Sequence, residues 1–257
     1  MSPDPVALRE PLLVRFFAGV MARQMRGAFR AVRLAKPGLP ELPTGRPLVV
    51  YSNHPSWWDP AFFIVLHWQL FRGREGYGPM EAAMLRRYGF FRRIGIFGVE
   101  EGRAGAVGFL ETSRAILADP RRMMWVTAQG RFADARERPL GVRPGVAHLM
   151  ARVPGAVAVP LAFEYPFWSE KRPEALAAFG APLEGSMGAA AWGPRLEEAL
   201  TATCDRLAAL SLARDARAFD DVLRGRRGVG GIYGSWQRLD ALARGKRHEP
   251  DHLADAP

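Results

Sequence analysis

The pattern of apolar and polar positions divides the chain into an N-terminal helical stretch and a longer part in which short apolar runs alternate with helical stretches. The apolar runs predict strands at 48–52, 94–99, 123–128 and 156–163. The helical stretches lie near 60–71, 80–90, 104–118, 143–152 and 193–213. This alternation indicates an α/β fold with a largely parallel central sheet that is buried on both faces and flanked by helices.

The first helical stretch, 9–33, is predicted as one amphipathic helix with Pro11 in its first turn. Six arginines share an arc of roughly 120° at 100° per residue: Arg9, Arg15, Arg23, Arg26, Arg30 and Arg33. Phe17 and other apolar residues occupy the opposite side. One interpretation is a membrane-association segment lying in the bilayer interface, with contacts from Arg15, Phe17, Arg23, Arg26 and Arg30. The alternative is an ordinary N-terminal helix packed on the core with a solvated charged face.

The length of 257 residues favours one large domain with extensions. We expect an amphipathic helical segment and Pro-rich connector over 1–45, an α/β domain over 46–223 and a Gly/Arg-rich extension over 224–257. No stretch has the roughly 18 to 20 uninterrupted apolar residues of a membrane-spanning helix. A secretory signal is not expected, because Glu10 and Pro11 precede the apolar run and Arg15 interrupts it.

The charge balance points to anionic partners, since 36 Lys and Arg against 26 Asp and Glu give a net charge of +10. Nucleic acid is not the expected partner, because the arginines gather on a helix and no recognition motif is present. A single cysteine, Cys204, cannot form an intramolecular disulfide, and no Cys/His cluster predicts a metal site. No P-loop, Gly-x-Gly-x-x-Gly fingerprint or Gly-x-Ser-x-Gly nucleophile elbow lies between a strand and a helix.

The candidate chemistry lies directly after the first of these strands, in the run Asn53-His54-Pro55-Ser56-Trp57-Trp58-Asp59-Pro60. A strand end followed by a turn and a helix start would hold His54 close to Asp59. The carboxylate would orient one imidazole nitrogen, and the other nitrogen would act as a general base toward a substrate hydroxyl. The plainer interpretation is that Asp59 caps the helix and His54 is an ordinary core histidine.

The block Asn-His-x4-Asp on a strand-to-helix junction resembles the signature of the glycerolipid acyltransferases, the PlsC-like lysophospholipid acyltransferase family. The similarity extends over roughly 45–165. Val159-Pro160-Leu161-Ala162 matches the fourth block of the family, a Val-Pro strand whose proline suggests an edge or a shaped strand end near the active pocket.

The two intermediate blocks are altered. Gly95 to Glu100 resembles the second block, but Glu101 stands where the family has an arginine, and Arg103 is a possible substitute. Val126 to Phe132 resembles the third block, usually Phe-Pro-Glu-Gly-Thr-Arg-Ser: Gly130 is kept, Gln129 replaces the acid, and Arg131 and Phe132 take the Thr and Arg positions. Arginines of this loop, including Arg131 and Arg138, would meet phosphate or carboxylate oxygens, or are simply solvated.

The resemblance implies an O-acyltransferase that moves a fatty acyl group from acyl-CoA or acyl carrier protein to a hydroxyl of a lysophospholipid or related lipid. His54 would be the general base and Asp59 its orienting partner. The implied substrate-binding residues are Asn53, Arg103, Gln129, Gly130, Arg131, Arg138 and Pro160. No cofactor or metal is implied, and the expected location is the cytoplasmic face of a membrane, as a peripheral or monotopic protein. The altered blocks leave two alternatives open: a hydroxylated or glycosylated lipid as acceptor, or an inactive lipid-binding homologue.

Overall fold

The computed structural model describes residues 4–225. The extension predicted over 224–257 therefore lies outside the described residues, apart from 224 and 225. The α-helices are α1 Pro5–Leu8, α2 Pro11–Ala28, α3 Asp59–Leu70, α4 Ala82–Arg87, α5 Gly102–Ile116, α6 Pro144–Arg152 and α7 Ala189–Ala213. The strands are β1 Ala31–Ala35, β2 Leu48–Ser52, β3 Glu75–Glu81, β4 Ile96–Val99, β5 Arg122–Thr127, β6 Val157–Glu164, β7 Ala175–Phe179 and β8 Phe219–Arg224. Two 3₁₀ segments, Gly89–Ile94 and Ala216–Ala218, complete the described elements.

The eight strands form one mixed sheet in the order β4-β3-β5-β2-β6-β7-β1-β8. The strands β4, β3, β5, β2 and β6 are mutually parallel, and β1 is parallel to β7. The two antiparallel pairs join β6 to β7 and β1 to β8. The fold is therefore α/β with a mostly parallel sheet, as the sequence predicts. The carboxyl ends of β2, β5 and β6 meet at one sheet edge, which is where parallel α/β sheets place their ligand sites.

Helices cover both faces of the sheet, because alternate residues of its central strands are apolar on both sides. In β2, Leu48 and Val50 face a core that contains Phe62 and Leu66 of α3. Val49 and Tyr51 face the opposite core, which contains residues of α5, α6 and α7. Since every residue of β2 is buried, the turn that follows it is anchored at its base.

The four predicted strands are confirmed as β2, which has the predicted bounds, and β4, β5 and β6, whose bounds differ by one or two residues. Helices are likewise found at the five predicted places, although the one expected over 80–90 is only α4 followed by a 3₁₀ turn. Four strands were not predicted, namely β1, β3, β7 and β8. Their sequences explain this: β3 contains two glycines and a proline, and β7 is Ala-Leu-Ala-Ala-Phe, whose alanines favour helix.

The single helix predicted over 9–33 is wrong at both ends, because α2 spans only Pro11–Ala28 and the chain then enters β1. Arg30 and Arg33 are buried and do not belong to an exposed basic face. Arg30 donates its backbone N–H to Pro173 O, and Arg33 pairs with Glu174 and Asp221. The contact predicted between Arg30 and a membrane therefore has no exposed side chain to make it.

The apolar side of α2, which was expected to enter a bilayer, packs on the protein. Ala18 and Met25 are buried, and Phe17 makes edge-to-face contacts with Phe90 and Phe91, with ring centroids 5.4 and 5.8 Å apart. The exposed face carries Arg15, Arg23 and Arg26 together with two large apolar side chains, Leu12 and Phe16. Within residues 4–225, no helix combines the length and apolar character that a membrane crossing requires.

Pro160 lies in an interior strand, which corrects the expectation of an edge. It is paired with Tyr51 of β2 and is part of the buried strand β6. The N–H of Ala158, two residues earlier, donates to Leu183 O on the β7 side of β6. The carbonyl of Pro160 accepts from the N–H of Gly180, the residue directly after β7, at 2.9 Å. The proline therefore lies opposite the end of β7, beyond the last paired residue of that strand.

Candidate active site

The turn that follows β2 carries the candidate catalytic pair. β2 ends at Ser52, α3 begins at Asp59, and Pro60 occupies the first turn of that helix, where its missing N–H costs nothing. Asp59 is thereby placed at a helix N-terminus, where the helix dipole favours negative charge. The intervening turn folds back, with Ser56 O accepting from the N–H of Asp59, and this brings the His54 ring over the carboxylate.

His54 and Asp59 are hydrogen-bonded as the sequence predicts. The distance from His54 Nδ1 to Asp59 Oδ2 is 2.6 Å. A carboxylate only accepts hydrogen bonds, so this contact assigns the proton to Nδ1 and leaves Nε2 as the basic nitrogen. The His54 side chain is 15% exposed, whereas the Asp59 side chain is fully buried. The His54 ring is therefore partly accessible to solvent, whereas the Asp59 carboxylate is not.

The electrostatics of Asp59 reflect a balance between burial and hydrogen bonding. Burial raises the pKa of Asp59, and the hydrogen bonds from His54, Tyr165 and the backbone of Ser56 oppose that rise. The Tyr165 hydroxyl lies 2.7 Å from Oδ1, and the Ser56 N–H lies 3.2 Å from Oδ2. Both carboxylate oxygens are therefore engaged by donors within the protein.

The backbone of His54 is held by the loop that follows β5. The N–H of His54 donates to Gln129 Oε1 at 2.8 Å, and its carbonyl accepts from the N–H of Ala133 at 3.0 Å. Gln129 is buried, and its Nε2 donates to Leu140 O at 2.8 Å. A glutamate could accept the first bond but, when ionised, could not donate the second. Gln129 thus connects the turn after β2 to the 129–140 loop.

Asn53 joins β2 to β6. Its side-chain oxygen accepts from the N–H of Phe163 at 2.8 Å, and its side-chain nitrogen donates to Phe163 O at 3.0 Å. Asn53 is buried, so its amide holds the turn after β2 against the end of β6 and has both functional groups occupied. Binding of substrate by Asn53 stays a prediction.

An aromatic side chain covers one face of the candidate base. The Phe132 ring stacks on the His54 ring with centroids 4.3 Å apart and an interplanar angle of 30°. Phe132 itself is 58% exposed, and Trp57, in the turn after β2, is 69% exposed. The partly buried imidazole therefore has an exposed aromatic ring against one of its faces.

The arginines of the 129–140 loop are paired with carboxylates. Arg131 pairs with Glu137, and Arg136 donates to Asp134 with a shortest distance of 2.7 Å. Arg138 reaches across to Asp205 of α7, at 3.1 Å from its Nε. Binding of a substrate anion by Arg131 or Arg138 would require the arginine to exchange its present partner or to share it.

Gly130, the retained glycine of the loop, has a φ of +60°, which is a left-handed conformation. A Cβ at this position would come within 2.7 Å of the Arg143 side chain. The Arg143 side chain therefore lies against Gly130, and its guanidinium makes no ion pair with any carboxylate among residues 4–225.

Arg103 does not lie beside the catalytic pair. It is exposed in the first turn of α5, which follows β4, and β3 and β5 lie between β4 and β2. Three strand spacings of about 4.8 Å place the ends of β4 and β2 about 14 Å apart. Pro160 lies four residues before the end of β6, within the sheet.

Sequence reasoning missed one residue at this site, Tyr165. It is separated from Asp59 by 106 positions, and no local pattern marks it. A signal did exist in its position directly after β6, because residues that follow parallel strands gather at one sheet edge.

No protein-family model matches this sequence, and comparison with curated proteins finds no match. Within residues 4–225, no group of three or more His, Cys, Asp and Glu side chains is arranged to hold a metal ion.

Proposed function

We propose that the protein is a membrane-associated O-acyltransferase that moves a fatty acyl group from acyl-CoA or acyl carrier protein to a hydroxyl of a lysophospholipid or related lipid. The observation that carries the proposal is the 2.6 Å contact between His54 Nδ1 and the buried Asp59 carboxylate. It sets the tautomer that leaves Nε2 basic, on a side chain that remains accessible. The resemblance of this turn and of the strand at Pro160 to the acyltransferase family supplies the reaction class.

In the proposed reaction, His54 Nε2 takes the proton of the acceptor hydroxyl as its oxygen attacks the thioester carbonyl. Asp59 stabilises the imidazolium that forms. The tetrahedral intermediate collapses with cleavage of the carbon–sulfur bond, and the imidazolium returns the proton to the thiolate. An ester bond is formed, a thiol is released, and no acyl-enzyme is required. The thioester is already activated, so the step needs no metal ion or prosthetic group.

The surroundings of His54 favour an acceptor that is not a simple phosphoglycerol. Phe132 occupies the family's arginine position and stacks on the base, and Arg131 and Arg138 are paired with carboxylates. Gln129, at the family's glutamate position, is bonded to two backbone groups of the site. We therefore propose a hydroxylated or glycosylated lipid, or another lysolipid, as the acceptor in preference to 1-acylglycerol-3-phosphate.

We place the protein at the cytoplasmic face of a membrane, as a peripheral protein. The support is the exposed side of α2, where Arg15, Arg23 and Arg26 accompany Leu12 and Phe16. Arginines near lipid phosphates with bulky apolar side chains between them are typical of interfacial helices. The site and this helix are connected, since Phe29, directly after α2, packs against both Trp58 and Tyr165.

The test is thiol release from a panel of acyl-CoA and acyl carrier protein donors, with and without lipid acceptors in detergent or liposomes, and with the acylated product identified by mass spectrometry. We expect His54→Ala to lower acceptor-dependent turnover by about 10²- to 10⁴-fold. His148→Ala is the matched control, because His148 is exposed on α6, and should leave turnover unchanged. Burial raises the pKa of Cys204 to about 12, so the protein's own thiol adds little to the signal.

Equal turnover in the His54→Ala variant and the wild type would refute the role of His54, and no turnover with any donor and acceptor would favour a lipid-binding homologue. A strong and exclusive preference for 1-acylglycerol-3-phosphate would refute the proposed acceptor class while leaving the reaction type intact.

A further inference from the structure

Three hydrogen-bond donors converge on the Asp59 carboxylate: two lie in the turn after β2, and the third lies directly after β6. His54 Nδ1 and the Ser56 N–H approach Oδ2 from the catalytic turn, at 2.6 and 3.2 Å. The Tyr165 hydroxyl approaches Oδ1 at 2.7 Å from the residue that follows β6. This inference rests on the proposed function: we propose that Tyr165 is a positioning residue. Its hydroxyl fixes the Asp59 carboxylate and keeps it ionised, and this completes a Tyr165–Asp59–His54 relay.

The chemistry of the contact supports this role. A hydroxyl that donates to a carboxylate stabilises its ionised form, and such charge-assisted bonds are the stronger ones in proteins. The pKa of Asp59 is raised by burial, and Tyr165 and His54 act against that rise. Tyr165 stays a donor, because its own pKa is raised well above the usual value by burial and by the adjacent carboxylate. The groups acting on Asp59 are the His54 ring, the Ser56 N–H and the Tyr165 hydroxyl.

The tyrosine is fixed in place by its neighbours. Its ring packs against Phe29 and Phe62, with centroid distances of 5.5 and 6.4 Å. Two residues earlier, the backbone of Phe163 is bonded to both ends of the Asn53 amide, directly before His54. The hydroxyl donor and the imidazole are therefore held at the ends of two strands that are hydrogen-bonded to each other. A fixed donor on Oδ1 prevents the carboxylate from rotating away from His54.

The test compares Tyr165→Phe with Tyr51→Phe. Tyr51 is also buried, and its hydroxyl donates to Leu196 O at 3.1 Å on the opposite face of the sheet, so both variants lose one buried hydroxyl bond. We expect Tyr165→Phe to lower turnover by about 10- to 100-fold, with Tyr51→Phe near the wild type. The acid limb of the pH–rate profile should move to higher pH in Tyr165→Phe alone, because Asp59 then gains its proton earlier.

A second readout does not depend on turnover. The pH titration of the Asp59 carboxyl carbon, followed by NMR and assigned with Asp59→Asn, should move to higher pH in Tyr165→Phe and stay in place in Tyr51→Phe. An unmoved titration would overturn the proposal, and so would a moved titration with an unmoved pH–rate profile. If the wild type turned over no donor at all, the acyltransferase assignment would fail on its own, and the carboxyl titration would still decide whether Tyr165 holds Asp59.

Discussion

Replacing Asp59 with asparagine should separate activity from stability, because the same carboxylate is required by the reaction and disfavoured by its burial. The asparagine can keep the network. Its oxygen can face the donors of His54 and Ser56, and its amide can face the Tyr165 hydroxyl, which then accepts instead of donating. The substitution therefore removes one negative charge with little change of shape.

The expected loss of activity follows from the geometry of the pair. With a 2.6 Å contact, the centres of charge of the carboxylate and the imidazolium are about 4 Å apart, and at an effective dielectric constant of about 20 their attraction is about 4 kcal/mol. The imidazolium exists only after proton transfer, so this energy is lost from the transition state and not from the resting protein. At 1.36 kcal/mol per factor of ten, turnover should fall by about 10³-fold.

The stability should change in the opposite direction. Burial raises the pKa of Asp59 in the folded protein above its value in the unfolded chain, so folding favours the protonated form. The contribution of Asp59 to the free energy of unfolding is fully present at low pH and is lost as the pH rises through the folded-state pKa of Asp59. The Asp59→Asn variant should therefore melt at a higher temperature than the wild type at pH 7, by about 2 to 4 °C per kcal/mol gained. The gain should disappear in acid.

The assays are acceptor-dependent thiol release and thermal unfolding at pH 7 and in acid, both on the same preparation. A variant that kept more than about a third of wild-type turnover would contradict the role of the charge. A variant that was both inactive and markedly less stable at pH 7 would show that Asp59 holds the turn together, and the activity loss would then carry no information about the relay.

Two further predictions concern the buried ion pair of Arg33 and the exposed arginines of α2. Arg33→Leu should lower the free energy of unfolding in urea by about 3 to 5 kcal/mol, because it leaves buried Glu174 without the partner that lies 2.9 Å away. Arg33→Leu combined with Glu174→Leu should recover most of that loss, and equal losses in both variants would contradict this. Replacing Arg15, Arg23 and Arg26 with glutamate should weaken binding to anionic liposomes, measured by flotation, by at least about 100-fold, at about 1 kcal/mol for each arginine lost. The control variant, Arg114→Glu with Arg152→Glu, changes exposed residues on helices of the opposite face and should not weaken binding. Unchanged flotation of the triple variant would exclude α2 as the contact.

The central strands could be predicted from the sequence because their burial leaves a continuous apolar run. β2 and β6 are buried over nearly their whole length; β2 is followed by polar residues, and β6 ends at Glu164, shortly before the break at Pro166. β7 could not be predicted, because an alanine-rich segment becomes a strand only when β6 and β1 are present to pair with it. β1 was assigned to the preceding helix, since the arginines at 30 and 33 continue the helical spacing although both side chains are buried.

The candidate site was predictable to the extent that it is local. His54 and Asp59 lie on one turn, so their spacing in the sequence is enough to bring them together. Tyr165 and the carboxylate partner of Arg138 come from distant parts of the chain, and only the arrangement of β6 and α7 in space makes them neighbours. Sequence patterns cannot show whether an arginine is already paired with a carboxylate, as Arg131 and Arg138 are.

The Asn53 bridge to Phe163 makes one frame of the ends of β2 and β6. His54 and Tyr165 follow the two strands that this amide joins, so their spacing is set within the sheet. The segment after Tyr165 can accordingly change length or composition without displacing His54. The Phe132 loop cannot, because Gln129 and Ala133 of this loop are hydrogen-bonded to the backbone of His54. Variation in what the site accepts is therefore expected first in the segment after Tyr165.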